Sequence, residues 1–479
     1  MSSGGPFPLL AEWDSGLRGG DPLSFPGYEA LLRGADGESV VTGLTEVCGR
    51  MAVLIESRFG QFGGTMGAAA GEKVTRAFEH ATARRLPVIA VTASGGARLQ
   101  EGVLALVQMG RTAAARQRHA AAGLLMVAIY RSHTTGGVYA SWAGLADLRA
   151  AVKGATIGFH GPRVVQAITG AALPPGSHTA EAAYARGQVD EVLAEGGEPR
   201  WVRAAFGFGS NPLRLAPGRE LLPQPPRGSP THLTGARALR LARDRARPSG
   251  LDWAAALTSS WTDMHGADPV VRAGLATIGA TRAVVIALDR HANDDGAGRP
   301  GPAGYQLAQR ALRLAAQLRL PVLTLVDTPG ADPGPIAEAG GVAAEIARTL
   351  GLMAELPTVT VSLCVGEGGS GGAMALSYAD RQYMLAGSVF SVIAPEAAQV
   401  ILHQDVLPAE RLADCLGITG SELYNLGLVD GLLPDEANAV GVVRSAILAA
   451  FGQACPGDRN LRADEATRQW VGPCRQLNA

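Results

Sequence analysis

Four short apolar runs punctuate the chain: VIAVTAS at residues 88–94, LLMVAIY at 124–130, VLTLVDT at 322–328 and TVTVSLCV at 358–365. Each carries β-branched residues and is bounded by Gly or Pro, the pattern of a short buried strand. In each half of the chain the predicted order is strand, turn, helix, strand, glycine loop, helix, strand. Such alternation requires helical crossovers, so the pairing is expected to be largely parallel and the class α/β. Near the end, ANAVGVVRSAILAAF reads as a closing amphipathic helix.

The two halves repeat one pattern. Pro87 to Pro321 and Gly96 to Gly330 are both 234 residues apart, Gly136 to Gly371 is 235, Pro162 to Pro395 is 233 and Asp190 to Asp430 is 240. A solenoid repeats at a much shorter period, so two homologous domains are expected. Residues 1–27 read as a Gly/Pro-rich lead, 28–195 as the first domain, 196–234 as a linker, 235–435 as the second domain and 436–479 as a C-terminal helix and tail. The linker assignment rests on six prolines between Asn211 and His232, too many for a helix interior or a central strand.

Composition narrows the class. With 47% hydrophobic residues in 479, the chain has enough apolar material for two ordinary cores. A formal net charge of -1 gives no global reason to bind nucleic acid or an acidic membrane surface. No stretch approaches the ~18 uncharged apolar residues of a spanning helix, and MSSGGPFPLLAEWDSG has no secretory pattern. The cysteines Cys48, Cys364, Cys415, Cys455 and Cys474 include no C-x-x-C pair, so neither a zinc site nor a disulfide framework is expected, and the cytoplasm suits them. Arg237, Arg240, Arg243, Arg245 and Arg247 fall in one stretch read as helical, either a solvated basic face or a contact for a phosphate-bearing ligand or acidic partner.

The glycine loops carry the chemistry. Gly136 with Gly137, and Gly371 with Gly372, follow predicted strands and open predicted helices. The first N–H groups of a helix lack internal partners, and glycine lets a ligand oxygen approach them, so each pair is a candidate oxyanion hole. Close helix-to-strand packing explains a lone Gly-Gly equally well; two pairs in matching contexts favour the functional reading. A side chain added at Gly137 or Gly372 is then expected to block the ligand and leave the fold intact. There is no G-x-S-x-G elbow, H-E-x-x-H or P-loop signature.

These residues resemble a known family. The segments FGGTMGAAAGEKVTRAFEHA, SGGARLQEG, TTGGVYAS and IGFHGPRVV are similar to the beta subunit of bacterial acetyl-CoA carboxylase carboxyltransferase. GPAGYQLAQRALRLAAQL, LVDTPGADPG, GEGGSGGAMAL and SVIAPEAA are similar to its alpha subunit. The resemblance covers most of residues 21–433 and implies a beta-then-alpha fusion with two crotonase-like (ββα spiral) domains.

It further implies that the backbone N–H groups of Gly136 and Gly137 receive the acyl-CoA thioester oxygen, and those of Gly371 and Gly372 the ureido oxygen of biotin. Gly95, Gly96, Ala97, Arg98 and Thr135 would line the CoA side, and Gly368, Gly369 and Ala373 the biotin side. The plain alternative for Gly95 to Arg98 is a strand-to-helix turn with an exposed arginine. In the implied mechanism CO2 is released from carboxybiotin in a dry pocket, the α proton of the thioester is taken by the biotin enolate, and the carbanion attacks the CO2. No metal or nucleophilic side chain is required. A homodimer or larger assembly is implied, each site lying between opposite halves of two protomers.

Three departures from the family stand out. No four-cysteine zinc ribbon precedes Cys48. DRHANDDGAGRPGPAGY, from Asp289, replaces a basic stretch. His160 stands where a small residue is usual, either packed or solvent-facing, or an acid or base beside the thioester. Neither Lys73 nor Lys153, the only lysines, has the Met-Lys-Met setting of a biotinyl lysine, so biotin would come on a separate carboxyl carrier protein served by a biotin carboxylase. A biotin-independent decarboxylase of a malonyl-type thioester, as in fatty-acid or polyketide starter supply, is the alternative.

Overall fold

The computed structural model describes residues 5–215, 219, 233–292, 298–402, 407–436 and 439–471. Most of the proline-rich linker, part of the Asp289–Gly301 segment, and Cys474 with the final tail fall outside these residues. The chain forms two compact units, Met1–Gly209 and Ser210–Ala479.

The first unit is built on strands β1 (Leu9–Trp13), β2 (Val40–Val47), β3 (Arg50–Ser57), β4 (Val88–Ser94), β5 (Met126–Thr135), β6 (Leu148–Val152), β7 (Ile157–Gly158) and β8 (Glu191–Leu193). The second repeats it with β9 (Ser260–Met264), β10 (Val271–Ile278), β11 (Thr281–Leu288), β12 (Val322–Thr328), β13 (Thr360–Gly369), β14 (Arg381–Leu385), β15 (Val389–Ser391) and β16 (Gly431–Leu433). The sheet orders are β1-β2-β3-β4-β5-β6-β8, with β7 on β5, and β9-β10-β11-β12-β13-β14-β16, with β15 on β13. In both, the first three strands pair antiparallel and the rest parallel. The two homologous domains and the α/β class are thus as expected.

The central strands explain why the pattern is readable. Every residue of β4, β12 and β13 is buried, because helices cover both faces of a parallel sheet and leave no side for polar residues. The crossover helices Ala68–Ala83 and Pro302–Leu318 end alike. Arg85 (φ 53) and Arg319 (φ 54) take left-handed conformations before the repeated Leu-Pro-Val. Phe78 and Trp142 lie in the first core, and Trp253 and Trp261 in the second.

Two elements lie in stretches read as lead and linker. β1 pairs with β2, but it is an edge strand with a half-exposed LLAEW sequence, so it lacks an apolar run. Helix Glu198–Ala205 carries Pro199 in its first turn and buries Trp201 and Val202. The arginine stretch is also different: its helix, Gly235–Ala242, stops before Arg243, Arg245 and Arg247. Arg240 pairs with Glu410, Arg243 with Glu367 and Glu396, and Arg247 with Asp435, so three of the five arginines are held by carboxylates of this domain. Arg237 and Arg245 are exposed.

Candidate active site

Strands β5 and β13 each deliver the chain into a turn that begins with a left-handed residue. β5 leads to Gly136 (φ 62), and β13 leads to Ser370 (φ 57). Strand register fixes the correspondence: Ser94 pairs with Thr134 and Thr328 with Gly368, an offset of 234 in both strands. Gly136 therefore matches Ser370, Gly137 matches Gly371 and Val138 matches Gly372. This corrects the 235-residue match of Gly136 with Gly371, in which the Gly-Gly letters pull the alignment one place out of register. By β7 and β15 the offset is 233, since Ile157 and Phe390 occupy matching positions beside Thr134 and Gly368. A π-helical turn, Tyr139–Ala143, lies between and accommodates the extra residue of the first domain.

In the first domain the glycine backbones pack on one another. A Cβ on Gly96 would lie 2.9 Å from the Gly136 Cα, and one on Gly136 would lie 2.8 Å from the Gly96 Cα. Only two residues without side chains can approach this closely. The Gly136 N–H, an expected thioester donor, is given to the Phe159 carbonyl at 2.8 Å. The Gly95 N–H goes to Gly63, that of Gly96 to the Ser94 hydroxyl and that of Arg98 to Met66. Ala97 and Gly137 retain N–H groups with no partner among the described residues, and a Cβ on Gly137 would lie 3.4 Å from the Ala97 nitrogen. The Gly136 N–H is therefore already committed within the protein, and the N–H groups left without a partner among the described residues here are those of Ala97 and Gly137. Thr135 is buried, its hydroxyl bound to the Ser94 carbonyl at 3.2 Å.

Arg98 fits neither sequence-based account. It is 1% exposed and makes two bonds to Glu38, at 2.9 and 2.7 Å, with further contacts to Tyr28 and Glu101. The guanidinium holds the Glu38 carboxyl below its usual range against the opposing effect of burial. Glu101 in turn accepts from the Ala68 N–H at the start of helix Ala68–Ala83. The network fixes the loop that bears Ala97 and leaves no guanidinium free for CoA. His160 is exposed, its ring edge-on to Phe159 at 4.5 Å, next to the residue that binds the Gly136 N–H.

In the second domain, helix Ser370–Ser377 begins without a side-chain cap, so the N–H groups of Ser370, Gly371 and Gly372 lack helical partners. The Ala331 N–H, 234 residues beyond Ala97, also has no partner among the described residues. Gly371 is exposed, and a Cβ there would meet nothing within 4 Å. Gly372 is buried, and a Cβ there would lie 2.6 Å from the Ala331 nitrogen and 2.7 Å from the Tyr305 hydroxyl. The expectation that Gly372 tolerates a side chain is therefore overturned. Gly137 is tighter than expected too, its Cβ position 3.1 Å from the Met109 sulfur.

Gly368 and Gly369 are accounted for by packing: added Cβ atoms would lie 2.2 Å from the Phe390 ring and 2.1 Å from the Pro329 carbonyl oxygen. Ala373 is fully buried in helix Ser370–Ser377.

Charged groups support this loop from below. Arg243 grips Glu367 on β13 at 2.9 and 2.8 Å. Arg290 reaches Asp327 at 3.3 Å, yet burial outweighs this pairing and pushes the Asp327 carboxyl up to about 6. Arg299, in the segment that replaces the family's basic stretch, lies with Nη1 3.9 Å from the Cβ position of Gly330. Ala331 and Tyr305, which both lie beside Gly372, are not singled out by the sequence motifs, although the 234-residue offset from Ala97 leads to the first.

Each domain thus carries one set of unpaired backbone donors among its described residues, on sheets of matching strand order. Residues 27–185 match the carboxyl transferase domain family, and 227–455 the acetyl co-enzyme A carboxylase carboxyltransferase-like family. The acetyl-coenzyme A carboxylase carboxyl transferase subunits beta/alpha of Salinispora tropica are 41% identical, over 90% of this chain and 81% of that protein. A probable biotin-dependent acyl-coenzyme A carboxylase beta3 subunit of Mycobacterium bovis is 36% identical, over 90% of this chain and 87% of its own length. Among solved structures, transcarboxylase 12S with methylmalonyl-coenzyme A bound matches the fold with a TM-score of 0.76 at 18% identity, covering 99% of this chain and 89% of that one. The chain belongs to the carboxyltransferase family of biotin-dependent acyl-CoA carboxylases, in its fused beta/alpha form.

Proposed function

We propose that the first domain binds the acyl-CoA thioester through the Ala97 and Gly137 N–H groups, and that the second binds the ureido oxygen of biotin through those of Ala331 and Gly371. The observation that carries this is the recurrence of one unpaired donor pair at one offset in both domains. Biotin supplies the carboxyl group. The residues of the second hole fit it: a Cβ on Gly371 would meet nothing within 4 Å, so space is open beside that residue, and the fixed helix dipole favours charge developing on an oxygen there. The first hole stabilises the enolate-like oxygen formed when the α carbon of the thioester is deprotonated, and both holes are rigid before substrate arrives. The product is a malonyl-type thioester, suited to fatty-acid or polyketide synthesis.

Biotin comes on a separate carrier protein loaded by a biotin carboxylase, since Lys73 is buried and Lys153 lacks a biotinyl setting. Exposed apolar side chains beside the first loop, Leu99, Val103, Leu106 and Val107, support assembly of two copies, each completing the other's site. Light scattering should give a dimer or larger species; an active monomer excludes it. The free cysteines among the described residues, and the lack there of any single helix long and apolar enough to cross a membrane, support a cytoplasmic location, checked by cell fractionation.

Malonyl-CoA decarboxylation tests the function. Release of CO2 should accelerate with free biotin, which accepts the carboxyl group in the reverse direction, and acetyl-CoA carboxylation should require the loaded carrier. Rapid release indifferent to biotin would instead establish a decarboxylase.

A further inference from the structure

Tyr305 lies fully buried on helix Pro302–Leu318, its ring packed with Ala337, Val342 and Ala375. Its hydroxyl has no hydrogen-bond partner among the described residues. It ends 2.7 Å from the position of a Gly372 Cβ, and the Ala331 nitrogen comes within 2.6 Å of the same point. A phenol, a loop N–H and the start of a helix thus converge on one glycine.

The duplication separates the ring from its oxygen. The 234-residue offset places Gly71 opposite Tyr305 and Val138 opposite Gly372. At both matching positions one domain has a large residue and the other a small one, and filling the space beside Gly372 accounts for the aromatic ring. It does not account for the hydroxyl, because phenylalanine would fill the same space and a buried hydroxyl without a partner is destabilising. In the first domain the neighbour of Gly137 is the apolar Met109 side chain.

We infer that the Tyr305 hydroxyl is a third donor of the second hole, hydrogen-bonding the biotin oxygen beside the N–H groups of Ala331 and Gly371. This rests on the proposed assignment of biotin to that domain. Burial, with the nearby Asp268 charge, raises the phenol pKa, so the proton stays available for donation.

Tyr305→Phe in the full chain tests it through thermal unfolding without ligand, calorimetric titration with free biotin, and the kinetics of biotin-dependent CO2 release from malonyl-CoA. The melting temperature should hold or rise. Biotin affinity should weaken and kcat should drop on the order of 10²-fold, while the KM for malonyl-CoA stays within about two-fold. A lower melting temperature would mean that the hydroxyl is paired inside the protein, and unchanged biotin affinity with unchanged turnover would mean that it does not reach the ligand; either result overturns the inference alone. Wild-type protein that neither binds biotin nor responds to it overturns the assignment of the domain, and this inference with it.

Discussion

Gly371 and Gly372 are adjacent and identical in chemistry, yet alanine should do opposite things at the two positions. At Gly371 the new methyl meets nothing within 4 Å, and the backbone is not left-handed. Replacing a helical glycine should leave the protein unchanged or stabilise it by about 0.5–1 kcal/mol, roughly 1–4 °C in melting temperature for a domain of this size. The same methyl occupies the open space before the helix terminus and should cost about 2.7–4 kcal/mol of transition-state stabilisation, a loss of 10²–10³ in kcat. At Gly372 the methyl would lie 2.6 Å from the Ala331 nitrogen and 3.2 Å from the Gly330 carbonyl carbon, both backbone atoms that cannot swing aside. Overpacking of that kind costs about 1–3 kcal/mol in stability before any ligand is present. Differential scanning fluorimetry together with biotin-dependent decarboxylation resolves the two effects. Full turnover by Gly371→Ala would show that no ligand sits at this helix terminus. A Gly372→Ala protein as stable as the wild type would show that the contact with Ala331 is not rigid.

Two further outcomes follow from buried charge. Arg98→Met strands Glu38 and Glu101 without their counter-ion and should destabilise the first domain by about 3–5 kcal/mol, with partial recovery when Glu38→Gln is added; a thermal shift of no more than a degree or so would contradict this. Burial raises the Asp327 pKa to about 6, above the value of the unfolded chain, so the folded state holds a proton that the unfolded state has already released. Stability should therefore fall as pH rises from about 4 to 6, and Asp327→Asn should remove that part of the fall; identical melting profiles across this window would exclude Asp327 as its source.

The central strands and glycine turns were legible because parallel strands buried on both faces leave uninterrupted apolar text, and because the backbone approach of Gly96 to Gly136 admits no side chain. Burial by distant partners was not legible. An arginine in a turn reads as exposed, and nothing local announces that Glu38, 60 residues earlier, will pair with Arg98. The fate of the Gly136 N–H was hidden for a similar reason, since its acceptor belongs to Phe159 on the far side of another strand. β1 was missed because an exposed edge strand needs few apolar residues.

The π-helical turn at Tyr139–Ala143 also sets the rules for recombining the two halves. A cassette exchanged between them with junctions in β5 and β13 before the glycine turn, and again before the turn ends, keeps the 234-residue frame. One whose second junction falls at β7 and β15 must carry the extra residue, because the frame there is 233. A chimera cut by aligning the Gly-Gly letters would join strand to helix one residue out of phase. It would rotate the first helical turn by about 100° and swing its N–H groups by the same angle.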